Sequence, residues 1–226
     1  MPRKSILDAP PQHREFRRRL LAWFRRHGRD LPWRRTRDPY RILVSEVMLQ
    51  QTQVARVLEY WPRFLDRFPT VGDLAGAHPR QVREAWEGLG YYRRAASLHR
   101  TAGQVMRDHG GELPKDAAAL RMLPGIGEYT AGAVASFAWE MAEPAIDTNV
   151  ARVLRRAFHP RLAPGAAGMK RLRQTARTLL PRAGRGAWAT NQALMELGAL
   201  VCTARAMRCT KCPVRTQCRT ARRDEK

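Results

Sequence analysis

All four cysteines of the chain lie near its C-terminus, at Cys202, Cys209, Cys212 and Cys218, with the spacing C-x6-C-x2-C-x5-C. A secreted disulfide framework spreads its cysteines along the chain. Four thiols in one short segment point instead to a metal centre. A zinc ribbon usually shows two C-x2-C knuckles, and only one is present here. Four thiolates on irregular loops suit a cubane iron–sulfur cluster, a [4Fe-4S] centre, whose ligands stand wider apart. Structural zinc is the alternative. The segment also carries Arg205, Arg208 and Lys211, so a loop stapled by a metal centre would present cations to phosphate.

The rest of the chain must supply the body on which that loop packs. Of 226 residues, 44% are hydrophobic, enough for one large domain or two small ones. The apolar pattern is helical. Phe16, Leu20, Trp23 and Phe24 share a face, and Gly28 follows as a stop. Val54, Val57, Leu58 and Trp61 predict a helix that Pro62 breaks, with Phe64, Leu65 and Phe68 in a second helix. His78-Pro79 starts another, and Asp116 caps a short one. Residues Pro164 to Gly168 read as a linker loop. No alternating strand pattern occurs, so the fold class is all-α.

Charge narrows the function. Lys and Arg number 42 against 20 Asp and Glu, a formal net charge of +22. A polyanion relieves that self-repulsion, which points to nucleic acid; an arginine-favouring genome is the bland alternative. No apolar run is long enough for a transmembrane helix, and no apolar stretch follows the basic start. The expectation is therefore a cytoplasmic, nucleoid-associated monomer with no membrane partner.

Two further motifs carry chemistry. Leu123-Pro124-Gly125-Ile126-Gly127 is a tight turn between two helices. Its glycines can bring backbone N–H groups close to a phosphate, beside a helix N-terminus; an ordinary helix–helix turn reads the same way. Glu46 sits among Ile42, Leu43, Val44, Val47 and Met48, and Asp147 follows Ala145 and Ile146. A desolvated carboxyl can act as a general acid near neutral pH. A second carboxylate can stabilise the cationic sugar formed when a glycosidic bond breaks. Each acid could equally cap a helix or pair with an arginine.

These segments resemble the helix-hairpin-helix DNA glycosylases with a C-terminal iron–sulfur cluster, and among them the MutY adenine DNA glycosylases. The resemblance runs from about Asp30 to Cys218. It rests on Leu31-Pro32-Trp33-Arg34, Ser45 to Val54, Gly88-Leu89-Gly90-Tyr91-Tyr92, Leu123 to Gly127, Ile146 to Val150, Asn191 to Ala199, and the cysteine spacing. It implies a helix-hairpin-helix glycosylase fold of two helical lobes, residues 30–138 and residues 1–29 with 139–226, the second bearing the cluster loop. It also implies a base excision repair enzyme that flips a nucleotide out of duplex DNA. By resemblance, Glu46 protonates the leaving base, Asp147 stabilises the sugar cation, and Tyr129 and Asn149 support them. Arg29, Leu31, Trp33, Arg34, Leu49, Val54 and Glu196 match the adenine pocket. Gln51 and Tyr91 match residues that wedge into the stack, and Thr52 and Leu89 match contacts to the opposite base. The hairpin, Arg205 and Arg208 would hold the DNA backbone.

Two departures shape the expectation. Bifunctional relatives of the endonuclease III type carry a lysine where Tyr129 stands, and a phenol forms no Schiff base. Base removal with little or no strand cleavage follows; Ala151 likewise replaces a lysine frequent in bacterial adenine glycosylases. Those enzymes usually carry a further C-terminal domain that helps recognise 8-oxoguanine. The present sequence has none after the cysteines, so the resemblance does not carry 8-oxoguanine discrimination over. The leading expectation is a monofunctional glycosylase for adenine opposite 8-oxoguanine or guanine. The alternatives are a thymine or uracil glycosylase for mismatches with guanine, which Thr36 to Tyr40 resembles, and a non-catalytic DNA-binding module.

Overall fold

A computed structural model describes residues 10–181 and 184–221. The basic start, Met1 to Ser5, lies outside the described residues. The described residues form eleven α-helices and no strand, only an isolated bridge between Cys202 and Met207. None of these helices is long and apolar enough to cross a membrane. The chain divides into two compact units: Asp30–Trp139 is one, and the segments on either side of it form the other.

The Asp30–Trp139 unit is built around two helices buried on every side. Helix α2 (Pro39–Met48) starts where the Asp38 carboxylate accepts from the Tyr40 and Arg41 amides and Pro39 pre-sets the first turn. Every residue from Ile42 to Met48 is buried, as expected of a helix that is apolar all round. The exceptions in chemistry are Ser45, whose hydroxyl donates to the Ile42 carbonyl at 2.7 Å, and Glu46. Helix α8 (Glu128–Trp139) packs against α2, and it is buried throughout from Thr130 to Ala138, where small residues predominate.

Helix α3 (Val54–Arg67) corrects the reading of Pro62 as a break: the proline lies inside one continuous helix. Val57, Trp61, Phe64 and Leu65 bury a single face across it. Pro62 and Leu58 lie on the exposed side, where water can take the carbonyl that the missing N–H leaves. The capped helices α4 (Val71–Gly76) and α5 (Pro79–Ala85) follow, then α6 (Arg93–His109), which ends on the left-handed Gly110, and α7 (Ala117–Leu120), capped by Asp116.

The flanking unit gathers α1 (Pro11–His27), α9 (Thr148–Phe158), α10 (Ala166–Leu179) and α11 (Arg185–Leu200). Phe16, Leu20, Val153, Leu154, Leu172 and Leu197 meet in its core. The expected linker is also corrected here. Only Pro164 and Gly165 stay outside α10, because Ala166 and Ala167 favour helix. Gly168 is helical, and a Cβ there would stand 2.3 Å from the Ala163 carbonyl oxygen. It is a packing glycine and not a flexible one.

Candidate active site

Glu46 occupies the last turn of α2 and is 4% exposed. The Tyr129 hydroxyl, from the first turn of α8, donates to its Oε2 at 2.5 Å. A carboxyl group inside an apolar helix pair is thus given a polar partner, which buried charge requires. The two residues are 83 apart in sequence, and the packing of α2 on α8 brings them together.

Asp147 caps α9 in the flanking unit. Its Oδ1 accepts from the Val150 amide at 2.7 Å, and its Oδ2 accepts from the Asn149 side chain at 2.8 Å. The capping role weighed from sequence is therefore present, and both oxygens are held in fixed directions. Behind Asn149 stands Arg152, which sequence reading passed over. Its guanidinium donates to Asn149 Oδ1 at 2.7 Å, to the Gly198 carbonyl at 2.8 Å and to the Cys202 carbonyl at 2.8 Å. Gly198 fits there because a Cβ would stand 2.6 Å from Asn149 Cβ. Asp147 is thereby tied through two side chains to the start of the cysteine loop.

The expected pocket residues fall in both units. Arg29 and Glu196 form a bidentate pair in the flanking unit, with the Arg29 amide donating to the same carboxylate at 3.0 Å. Glu196 is fully buried. In the other unit Leu31 and Trp33 are buried, and the Trp33 ring meets Trp61 edge-on at 6.0 Å. Arg34 ends a short 3-10 turn, Leu49 caps α2, and Val54 opens α3.

The expected DNA contacts divide by exposure. Gln51 and Tyr91 are exposed, and both hold positive φ, 56° and 48°. Thr52 is half-buried, and the Leu89 side chain is buried. In the hairpin, Leu123 and Ile126 anchor in the core, while Gly125 and Gly127 are exposed. Thr101 donates to the Pro124 carbonyl at 2.7 Å, which fixes the turn on α6. Gly125 has φ of 76°, and a Cβ there would meet Ser97 at 2.7 Å. Arg205 and Arg208 are exposed beside the cysteines.

Cys202, Cys209, Cys212 and Cys218 all line one small cavity, with Arg156, Val201 and Met207. Burial pushes the Cys212 thiol up to about 11, and the three other cysteines add to the rise. Arg156 donates to Cys202 Sγ at 3.4 Å and to the Thr203 carbonyl at 2.7 Å. Among the described residues, no three His, Cys, Asp or Glu side chains converge on a point suited to one metal ion.

Residues 44–182 match the HhH-GPD superfamily of base excision DNA repair proteins. The chain is 50% identical over 196 residues to the adenine DNA glycosylase of Mycobacterium tuberculosis, covering 86% of this chain and 64% of that one. It is 44% identical over 220 residues to the adenine DNA glycosylase of Homo sapiens, covering 93% of this chain and 40% of that one. It thus spans less than two thirds of either relative. Among solved structures, a thermostable thymine-DNA glycosylase superposes with a TM-score of 0.85 at 28% identity, over 94% of this chain and 97% of that one.

Proposed function

The chain belongs to the HhH-GPD superfamily of base excision DNA repair proteins, and on that premise we propose that it hydrolyses the N-glycosidic bond of adenine mispaired with 8-oxoguanine or guanine. The observation that carries this reading is the buried Glu46 carboxyl hydrogen-bonded to the Tyr129 phenol at 2.5 Å. Its partner is duplex DNA containing a mismatch or an oxidised base, bound by a monomer whose charge of +22 favours phosphate. The hairpin, Arg205 and Arg208 hold the backbone, and Gln51 and Tyr91 enter the stack.

In this reading the Glu46 acid gives its proton to N7 of the adenine. The C–N bond breaks with its electron pair leaving on the base. Asp147, held by Asn149 and the Val150 amide, stabilises the sugar cation electrostatically. Water then adds at the sugar carbon, and its proton returns to Glu46. The residues assigned to the base are Arg29 and Glu196 of the flanking unit and, by the same resemblance, Leu31, Trp33, Arg34, Leu49 and Val54 of the other. Tyr129 offers no amine, so an abasic site is the product and the strand stays intact.

Four thiols around one cavity, spaced with a single C-x2-C pair, fit a [4Fe-4S] cluster. Cys202, Cys209, Cys212 and Cys218 would hold it, and bound there it would staple the basic C-terminal loop. Thymine or uracil release is the second reading, favoured by the likeness to a thymine-DNA glycosylase; the higher identity to adenine glycosylases outweighs it. The test is Glu46→Gln. Base release in single turnover should fall by roughly 10²–10⁴-fold, the range for a general acid, with duplex affinity retained. Undiminished release would refute the assignment.

A further inference from the structure

The Arg94 guanidinium joins two segments of the Asp30–Trp139 unit that are far apart in sequence, Val47 to Thr52 and Leu89–Gly90. One terminal nitrogen donates to the carbonyls of Val47 at 3.0 Å and Met48 at 2.7 Å, and also to that of Gln50. The other donates to Thr52 Oγ1 at 3.0 Å and to the carbonyls of Leu89 at 3.3 Å and Gly90 at 3.1 Å. The guanidinium carbon also lies 5.4 Å from the ring centroids of both Trp86 and Tyr91. Val47 and Met48 end α2, where carbonyls lack helical partners and a cation is favoured.

The turns held this way contain Gln51 and Tyr91. Both have positive φ without being glycine, a conformation that persists only where surrounding structure fixes it. Their own side chains do not fix it, because both are exposed. The arginine's fork contacts both turns at once: one nitrogen takes the end of α2 and the Gln50 carbonyl, and the other takes Thr52 together with the Leu89 and Gly90 carbonyls. A lysine ammonium, a single point of charge, cannot span both sets of acceptors.

We propose that Arg94 is a positioning residue that locks the Gln51 and Tyr91 turns to the end of α2, presetting the two side chains that enter the DNA stack. The proposal rests on the reading of Gln51 and Tyr91 as stack-entering residues. Its action is through those turns: Arg94 holds them before DNA arrives, so no binding energy is spent on ordering them.

The experiment uses the full chain and three variants, Arg94→Lys, Thr52→Val and Tyr91→Ala. A duplex with 2-aminopurine at the target adenine reports unstacking, and single-turnover assays report base release. A further duplex sets the target adenine opposite an abasic-site analogue, where unstacking costs less. Arg94→Lys should keep its melting transition and phosphate-based affinity. It should lose most of the unstacking signal and release paired adenine about 10–100-fold more slowly, a loss of the size that misplacement brings. Release from the unpaired duplex should recover towards wild type. Normal unstacking in Arg94→Lys overturns the proposal. So does equal slowing on both duplexes, which would mean that Arg94 acts through α2 and Glu46 alone. If Arg94→Lys fails to fold, Thr52→Val carries the test: it removes one link on the second nitrogen and should weaken unstacking, and an unchanged signal overturns the proposal. Tyr91→Ala separates the premise. If it unstacks DNA normally, the stack-entering reading fails; if only the Arg94 and Thr52 variants are normal, the premise stands and the lock does not.

Discussion

Glu46 and Gly198 show two ways in which a residue would serve the proposed site. Glu46 announces itself in sequence, because an acid inside an apolar helical run needs a reason. Its partner Tyr129 was legible only through resemblance, since nothing local joins residues 83 apart. Gly198, Arg152 and Arg94 carry no local signal. Each arginine is one of 42 basic residues, and its role depends on which carbonyls tertiary packing brings to it. Gly198 lies against backbone: a Cβ there would stand 3.0 Å from the Asn149 carbonyl carbon and oxygen. Gly198→Ala must therefore shift the Asp147–Asn149 cap. We expect a stability loss of about 1–3 kcal/mol in urea denaturation, the usual cost of overpacking. Base release should fall about tenfold or more in protein that is fully folded, as misplacement of a reacting group implies. Gly76→Ala is the control, because nothing lies within 4 Å of its Cβ; neither measurement should worsen.

At the scale of elements, helical periodicity gave the all-α class, the α1 stop at Gly28 and the Asp116 cap. It misjudged Pro62 and the segment before α10. Both errors have one cause: proline and glycine were read as chain punctuation, whereas Pro62 lies on a solvent face and Gly168 at a close contact. A further consequence lies where α1, α9 and α10 meet. His13 Nδ1 pairs with Thr178 Oγ1 at 2.8 Å, and His159 Nε2 with Thr175 Oγ1 at 2.7 Å. Burial, foremost, and then neighbouring cations hold both imidazoles below their ordinary 6.5. The unfolded chain therefore binds protons near pH 6.5 that the folded one refuses. Their contribution to stability is complete above pH 6.5 and declines as pH falls from there towards the folded values. The urea midpoint should drop between pH 7.5 and 5.5, and replacing both histidines with glutamine should flatten that part of the curve. An unchanged slope in the double variant would remove these histidines from the account.

For the whole molecule, a charge of +22 points to a polyanion, and the four clustered cysteines point to the metal centre proposed above. The division into units could be expected only through the family resemblance, because no low-complexity linker marks it. The choice of base lies furthest from what physical reading reaches, because no single residue type or spacing encodes it. It is also where relatives and structural neighbours point different ways. Single-turnover base release decides it. The duplexes should carry adenine opposite 8-oxoguanine, adenine opposite guanine, thymine opposite guanine and uracil opposite guanine, each with and without alkali. The account predicts release of adenine, with strand breaks only after alkali. Release of thymine or uracil alone would contradict the adenine assignment, and breaks without alkali would contradict the role given to Tyr129.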